Sequence, residues 1–236
     1  MASGGTASKT IVGGGGTLEL LGGAVASAPT VSSGGTLEVG GGYVLINFAV
    51  KSGTTLDVLS GGTASHTTVS SGGTMELFGG GAASGTTVKS GGLLEVGPGF
   101  VLSGFSIAKG VTVEVLSGGT VNKTTVTSGG VLELLGGATA SATTVRSGGL
   151  LEVGPGFVLS GFSIAKGATV EVLSGGTVSQ ITVLGGGVLE LFGGATASAT
   201  TVKSGGALEI GSGYAISGYA VSSGVTLWRH GERHND

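Results

Sequence analysis

Eleven acidic residues recur at one fixed spacing and are the most prominent side chains that could carry chemistry. They follow one another at a constant 19-residue interval without interruption, at Glu19, Glu38, Asp57, Glu76, Glu95, Glu114, Glu133, Glu152, Glu171, Glu190 and Glu209. Because hard cations such as Ca²⁺ bind carboxylate oxygens, a cation-binding stripe is one interpretation. Calcium usually takes several oxygens from one locality, however, and no Asp-rich loop accompanies these acids. The pattern favours a solvated face whose charge opposes aggregation.

The same acids are poor candidates for acid–base catalysis. Such catalysis needs two groups whose environments separate their pKa values, and eleven equivalent acids do not provide that difference. His66 is alone in its repeat, and His230 and His234 lie near Glu232 and Asp236 in a polar C-terminal tail. No nucleophile, base and orienting group can be named together. We therefore expect no catalytic residue, no cofactor and no metal site.

Serine hydroxyls form two further columns at the same spacing. The outward serine column contains Ser27, Ser65, Ser84, Ser103, Ser141, Ser160, Ser179, Ser198 and Ser217. The turn serine column contains Ser33, Ser52, Ser71, Ser90, Ser128, Ser147, Ser204 and Ser223. Serine often caps the backbone groups of turns, so the residues alone leave open whether these hydroxyls have a further role.

The fixed spacing also predicts the elements that position these side chains. A period of about 20 residues is typical of a solenoid, in which each repeat stacks on its neighbours. Apolar residues flank every acid, which is the alternation of a strand with one face in water. Glycine columns that begin at Gly15 and Gly23 predict corners, because glycine adopts positive φ without steric cost. The sequence predicts an all-β fold, a single parallel β-solenoid (β-helix) of about twelve 19-residue coils.

A longer repeat of three coils is superimposed on this period. The segment SGGLLEVGPGFVLSGFSIAKG begins at Ser90 and recurs at Ser147, which defines a 57-residue super-repeat. Aromatic residues occur once in each super-repeat, at Tyr43, Phe100, Phe157 and Tyr214 and again at Phe48, Phe105, Phe162 and Tyr219. They accompany Gly40, Gly97, Gly154 and Gly211, which replace a residue that is elsewhere Leu or Phe. We interpret this 57-residue recurrence as volume compensation in the core, in which a large aromatic side chain accompanies the loss of a neighbouring side chain.

Composition excludes several classes of protein. The chain has 236 residues, of which 54 are glycine, none is cysteine and 39% are apolar. Disulfides and thiolate metal sites are therefore excluded, and the apolar content argues against disorder. The formal net charge of −3 provides no electrostatic basis for nucleic-acid binding.

The repeat pattern predicts three segments. Residues 1–9 are a lead-in or N-terminal edge, residues 10–227 form the solenoid, and residues 228–236 are a polar tail or cap. The boundary between residues 227 and 228 has two reasons. Trp228 occupies the position of the acid, and Arg229 occupies an inward position, where an unpaired charge is costly to bury.

The recurring pattern SGGxLEV, then GG, then Ser-x-Thr-Thr-Val resembles the 19-residue repeats of bacterial autotransporter adhesins of the AIDA-I/TibA type. Good examples are VSSGGTMELFGGGAASGTTV at Val69 and VTSGGVLELLGGATASATTV at Val126. The resemblance extends from about Thr10 to Leu227. It implies a passenger segment on the bacterial cell surface, or secreted, that supports adhesion, autoaggregation or biofilm formation.

The same resemblance implies partners and a modification. In that family, serines of the repeats accept O-linked heptose from a dedicated heptosyltransferase, so both serine columns become candidate glycan acceptors. Ligands on host or sister cells and end-to-end self-association of the solenoid are further expected partners. The signal peptide and the translocator barrel of the family are not in this sequence, which suggests a fragment or another export route.

Two alternative functions remain. Some polysaccharide-active enzymes are built on β-helix scaffolds, but a fold does not specify an activity. An ice- or cation-binding array is the other alternative. An ice-binding face would need regular ranks of threonine, and one threonine column is present, at Thr30, Thr68, Thr87, Thr125, Thr144, Thr182 and Thr201. Ala49, Ser106, Ser163 and Ala220 interrupt this column, which argues against a regular ice-binding face.

Overall fold

The computed structural model of the chain describes residues 1–27, 29–214 and 223–229, and of Arg229 only the backbone. All regular elements of the described residues are short β-strands, and they pair in parallel. None of these residues belongs to a helix of the length and apolarity that crossing a membrane requires.

The first half of the strands, in chain order, is β1 (Thr6–Ser8), β2 (Ile11–Val12), β3 (Thr17–Leu20), β4 (Val25–Ser27), β5 (Thr30–Val31), β6 (Thr36–Val39), β7 (Val44–Ile46), β8 (Ala49–Val50), β9 (Thr55–Val58), β10 (Thr63–Ser65), β11 (Thr68–Val69), β12 (Thr74–Leu77), β13 (Ala82–Ser84), β14 (Thr87–Val88), β15 (Leu93–Val96), β16 (Val101–Ser103) and β17 (Ser106–Ile107). The second half is β18 (Thr112–Val115), β19 (Thr120–Asn122), β20 (Thr125–Val126), β21 (Val131–Leu134), β22 (Thr139–Ser141), β23 (Thr144–Val145), β24 (Leu150–Val153), β25 (Val158–Ser160), β26 (Ser163–Ile164), β27 (Thr169–Val172), β28 (Thr177–Ser179), β29 (Thr182–Val183), β30 (Val188–Leu191), β31 (Thr196–Ser198), β32 (Thr201–Val202), β33 (Ala207–Ile210) and β34 (Thr226–Arg229).

Each coil that the structure describes in full contains three strands, of four, three and two residues. Paired residues occupy the same position in successive coils, as Glu76 pairs with Glu95 and Thr68 with Thr87. Identical side chains are therefore stacked from coil to coil. The predicted all-β parallel β-solenoid with a 19-residue coil is confirmed.

The chain divides into two compact units, each with its own set of stacked strands. The first unit comprises Met1–Leu102 and Gly110–Val121, and the second comprises Ser103–Lys109 and Asn122–Asp236. The four-residue strands of the first unit are ordered β3-β6-β9-β12-β15-β18, and those of the second unit β21-β24-β27-β30-β33-β34.

The core of each unit lies between these short strands. The apolar residues on either side of each acid point inward, and Leu56 and Val58 of β9 are fully buried. Valine or isoleucine recurs at the same 19-residue spacing in the two-residue strands and forms a second inward row, in which Val50, Val69 and Val126 are also fully buried. β-branched side chains pack well on a pleated interior, which explains their recurrence at this position.

Three corners close each coil, and only two of them are the predicted glycine turns. We call them the first corner, after the four-residue strand, the second corner, after the three-residue strand, and the third corner, after the two-residue strand. The glycine columns occupy the first and third corners at positive φ, as for Gly80 (φ 81°) and Gly72 (φ 71°). The second corner also uses left-handed residues, but of mixed types, including His66 (φ 53°), Ala142 (φ 50°) and Gly161 (φ 67°). The sequence reading missed this corner because its residues do not share one side chain.

The glycines that mark the super-repeat compensate volume on the outer surface. Phe78 follows the inward Leu77, so the alternation of the strand turns it outward, where it is half-buried. A β-carbon on Gly97, one coil later, would lie 3.1 Å from Phe78 Cδ1. Leu135 and Phe192 lie against Gly154 and Gly211 of the next coil in the same way. The interpretation as core compensation was therefore wrong for this position. Among the aromatic residues, Phe157 is buried and Phe100 is half-buried.

Strand pairing continues into both segments that the sequence assigned to the ends. β1 lies within residues 1–9 and pairs with β4. β34 continues past Leu227, with Trp228 opposite Glu209 and Arg229 opposite Ile210. The ladder uses backbone groups only, so a change of side-chain type does not end it. His230, Glu232, His234 and Asp236 lie outside the described residues.

Candidate functional site

The acid column runs along the four-residue strands in both units. In the first unit the backbone register places Asp57 directly between Glu38 and Glu76, and neighbouring parallel strands lie about 4.8 Å apart. Outward residues two positions before and after each acid flank it, as Thr74 and Phe78 flank Glu76. The acids therefore lie between a row rich in threonine and a row of leucine, phenylalanine and glycine.

Burial raises the pKa of several of these carboxyls. The pKa of Asp57 rises to about 6, first because of burial and then because of the charges of Glu38 and Glu95. The pKa of Glu95 also rises to about 6, again because of burial first and then the charges of Glu76 and Glu114. Asp57 Oδ1 is buried and has no hydrogen-bond partner. A charged carboxylate loses hydration at such a position, and the raised pKa follows.

The second unit shows the same effect. Burial raises the pKa of Glu152, and the charge of Glu171 adds to it. Glu190 and Glu209 are only 3% exposed. The expected solvated acidic face is therefore solvated only in part, since Glu19 is exposed, Glu190 and Glu209 are buried, and the other acids are half-buried. Within the part of the chain that the structure describes, no three His, Cys, Asp or Glu side chains converge as metal ligands.

The turn serine column lies at the third corner, and its serines are all exposed. Each serine directly precedes a glycine of positive φ in the same turn. Its hydroxyl also contacts the next coil: a β-carbon on Gly72 would lie 2.6 Å from Ser52 Oγ. The glycine that follows each turn serine therefore meets two requirements. It adopts the positive φ of the turn, and it leaves space for the serine hydroxyl of the preceding coil.

The outward serine column lies at the end of the three-residue strands. Its members stack in register, as Ser65 pairs with Ser84 and Ser160 with Ser179. Ser65 and Ser179 are half-buried, whereas the other described members of the column are exposed. Ser217 lies outside the described residues.

Two hydrogen bonds engage serines of the outward column. Ser65 Oγ lies 2.8 Å from His66 Nδ1. Ser141 Oγ donates to Asn122 Oδ1 at 3.1 Å. The Ser65–His66 pair is exposed, and no carboxylate is seen to orient the imidazole among the described residues, so it does not form a catalytic triad.

A further set of exposed serines was missed from the sequence. Ser60, Ser117 and Ser174 lie at the first corner, where most coils carry glycine or proline. A β-carbon on Gly80 would lie 2.5 Å from Ser60 Oγ, so the arrangement of the turn serines is repeated at the first corner. The sequence signal was present, since LSGG recurs at residues 59–62, 116–119 and 173–176.

The arrangement presents hydroxyl groups in ordered ranks on the solenoid surface. An unactivated serine hydroxyl is a weak nucleophile, and it needs a base to act as a catalyst. The described serine columns are therefore regular arrays of mostly exposed hydroxyl groups.

Comparisons with known proteins agree with this description. The profile of a family described as an adhesin of the bacterial autotransporter system, probable stalk, matches residues 42–92. Comparison with proteins of curated function gives no significant match. Six chains of solved structures match. One is the crystal structure of a TibC-catalysed, hyper-glycosylated TibA fragment, which is 27% identical with a TM-score of 0.50. That match covers 97% of this chain and 98% of the TibA fragment.

Proposed function

We propose that this chain, whose repeats are autotransporter adhesin repeats of the AIDA-I/TibA type, is a surface stalk whose serines accept O-linked, heptose-type glycans. A passenger of this kind is located at the cell surface or is secreted, and its role is structural and adhesive. The serines are substrates of a heptosyltransferase-type enzyme. The attached glycans are displayed at intervals of one coil and support adhesion, autoaggregation or biofilm formation.

The observation that carries the proposal is the exposure of the turn serines beside glycine. Ser33, Ser52, Ser71 and Ser90 occupy this corner in four consecutive coils of the first unit. The residue beside each hydroxyl in the next coil is glycine, as Gly72 is beside Ser52, so it places no side chain over the hydroxyl, and Ser52 is exposed to solvent. The similar TibA fragment is described as hyper-glycosylated, which supports the same chemistry for these repeats.

The turn serines are better acceptors than the outward serines on geometric grounds. All the turn serines are exposed, whereas Ser65 and Ser179 of the outward column are half-buried. Ser65 also uses its hydroxyl in the contact with His66. We therefore propose the turn serine column as the main acceptor, with Ser60, Ser117 and Ser174 as additional acceptors of the same geometry.

Mass spectrometry of the co-expressed proteins tests this proposal. The chain is produced with a candidate heptosyltransferase, and the intact mass is compared with that of the chain produced alone. We expect a ladder of added sugars, with peptide mapping placing most of them on the turn serines. If no such enzyme adds mass, the acceptor function is wrong. If turnover of pectin-like polymers were detected instead, an enzyme on a β-helix scaffold would replace it.

The parallel pairing of the strands supports self-association as a partner interaction. Successive coils pair in parallel and in register, as β33 does with β34. An unpaired parallel edge can extend a sheet with a strand of another copy. We propose end-to-end association through such edges, together with ligands on host or sister cells. Sedimentation analysis at increasing concentration measures the self-association, and a concentration-independent monomer would contradict it.

A further inference from the structure

Backbone pairing is interrupted at intervals of three coils on two of the three faces. In the second unit, β25, β28 and β31 form one three-stranded sheet, and β26, β29 and β32 form another. The preceding strands β22 and β23 belong to other sheets, although β21 and β24 pair in full register. We call the junction between residues 139–145 and 158–164 the seam. The first unit has an equivalent seam between β4–β5 and β7–β8, next to Ala28, which is not described.

The missing bonds at the seam are identified by comparison with the next junction along the same unit. Four backbone bonds cross that junction on these faces, Thr177 N to Phe157 O, Gly161 N to Ser179 O, Thr182 N to Phe162 O and Leu184 N to Ile164 O, each 3.0 Å. Among the described residues, no equivalent bond crosses the seam on these two faces. The coils at the seam are therefore held together mainly by the four-residue strands and by the adjoining corners.

The size of the inward side chains explains the seam. The coil after the seam carries Phe157, Leu159 and Phe162 at positions where the coil before it has Ala138, Ala140 and Thr143. Phe157 and Leu159 are 8% and 9% exposed, so their volume is accommodated within the solenoid. Both coils have the same length of 19 residues, so the coil after the seam cannot become wider to accommodate these larger side chains. The large side chains therefore separate the two coils on the faces where they lie, and their burial offsets the lost hydrogen bonds.

Water reaches the seam. The inward Ala140 beside the seam is half-buried, whereas the equivalent Val178, in the middle of the three-stranded sheet, is fully buried. The outward residue immediately after the seam is an exposed valine in both units, Val158 at 60% and Val44 at 53%. A junction with fewer bonds and access for water is the place where local opening requires the least free energy.

We propose that the seams divide the solenoid into blocks of three coils, each of which opens as one cooperative unit under load. Inside a block such as β24–β32, hydrogen bonds join neighbouring coils on all three faces. At a seam they are reduced to one face and the corners. A stalk under tension therefore yields at a seam and releases a whole 57-residue block in one event. This inference is independent of whether the serines are glycosylated.

Single-molecule stretching of the full chain tests the proposal. Because an extended residue spans about 3.3–3.6 Å, release of one block should lengthen the chain by roughly 19–21 nm. The folded thickness of three coils, about 1.4 nm, is subtracted from that value. Extension in steps of one coil, roughly 6–7 nm each before the same correction, would overturn the proposal. A single event that releases the whole chain would also overturn it.

Hydrogen exchange of the unmodified chain gives a second, independent measurement. We expect the amides of Val158 and Ser163 at the seam to exchange at least about 100-fold faster than those of Thr177 and Thr182. Similar rates at all four positions would show that the seam is closed in solution, and the proposal would fail.

Side chains from the coil before the seam provide a variant that should close it. The double substitution Phe157→Ala and Phe162→Thr restores the residue types of the preceding coil. We expect slower exchange at Val158 and the loss of separate 57-residue steps at this seam. The matched control is Phe78→Leu on the outer face, which should leave the steps unchanged. Unchanged steps in a folded double variant would contradict the proposal.

Discussion

Ser52 and Gly72 are in contact across two successive coils, with Ser52 Oγ 2.6 Å from the position that a β-carbon on Gly72 would occupy. The same relationship recurs between Ser71 and Gly91 and, in the second unit, between Ser128 and Gly148. One residue type supplies the hydroxyl and the other supplies the space beside it. This serine–glycine contact thus recurs at the third corner, and substitution of either residue tests it.

Replacing Gly72 by alanine should destabilise the chain by about 2 kcal/mol. The substitution places a β-carbon at φ 71° and against the Ser52 hydroxyl. Chemical denaturation measures the change in the free energy of unfolding. The matched control is Gly161→Ala, at φ 67° with no atom within 4 Å, because Ala142 already adopts φ 50° at the equivalent corner. Equal losses for both variants would show that the contact with Ser52 contributes nothing.

Two substitutions should distinguish the serine columns as glycan acceptors. Lys109 occupies the position of a turn serine, and Ile46 occupies the position of an outward serine with 60% of its surface exposed. When co-expressed with the heptosyltransferase, Lys109→Ser should gain one glycan, and Ile46→Ser should gain none. Intact-mass measurement of both variants gives the answer. The reverse result would assign modification to the outward column while leaving the acceptor function in place.

Replacing Thr67 by valine should stabilise the protein by about 1 kcal/mol. Thr67 is fully buried, and its Oγ1 has no hydrogen-bond partner, so the hydroxyl is desolvated without compensation. Ile181 occupies the equivalent position in the second unit and is also fully buried, which shows that an apolar side chain fits there. Thermal and chemical denaturation both measure the change.

The control for this prediction is a second buried threonine whose hydroxyl is paired. Thr54 Oγ1 donates to Lys51 O and accepts from Lys51 N, both at 2.9 Å. Thr54→Val should therefore destabilise the protein by about 1–2 kcal/mol. Loss of stability in both variants would contradict the assignment of Thr67 as an uncompensated hydroxyl.

The acid column predicts that the protein is more stable at pH 4.5 than at pH 7. The folded-state pKa of Asp57 and Glu95 is about 6, against 3.8 and 4.5 for the ordinary groups. Between these values the folded state binds more protons than the unfolded state, so stability falls as the pH rises from about 4 to 6. Denaturation at a series of pH values measures this slope, and a stability that rises through this range would contradict it.

Removing one charge from the column should reduce the pH dependence. Asp57→Asn should raise the stability at pH 7 by about 1 kcal/mol, a value reduced for solvent screening of this half-buried group. Glu19→Gln is the control, because Glu19 is exposed and β3 has a paired neighbour, β6, on one side only among the described strands. A larger effect for Glu19 than for Asp57 would show that burial is not the main cause.

The sequence by itself determined the coil. A constant 19-residue spacing determined which side chains stack. Glu76 lies beside Asp57 in the register only because each coil closes after the same number of residues. Alternation around each acid determined that Leu56 and Val58 face inward. Two glycine columns determined two corners, since few other residues adopt positive φ without strain.

Only the tertiary structure decided how much of each stacked side chain meets water and where pairing fails. Carboxyls that alternation places outside, such as Asp57 and Glu95, are half-buried, and Glu190 and Glu209 are buried. His66 and Ala142 form the second corner through their left-handed backbone conformation. Because the residues at this corner share no side-chain type, the sequence did not predict it. The seam depends on the fit of Phe157 and Phe162 against a smaller coil. Period and alternation set the direction of a side chain, whereas burial and pairing depend on the volumes of side chains that meet only when the coils stack.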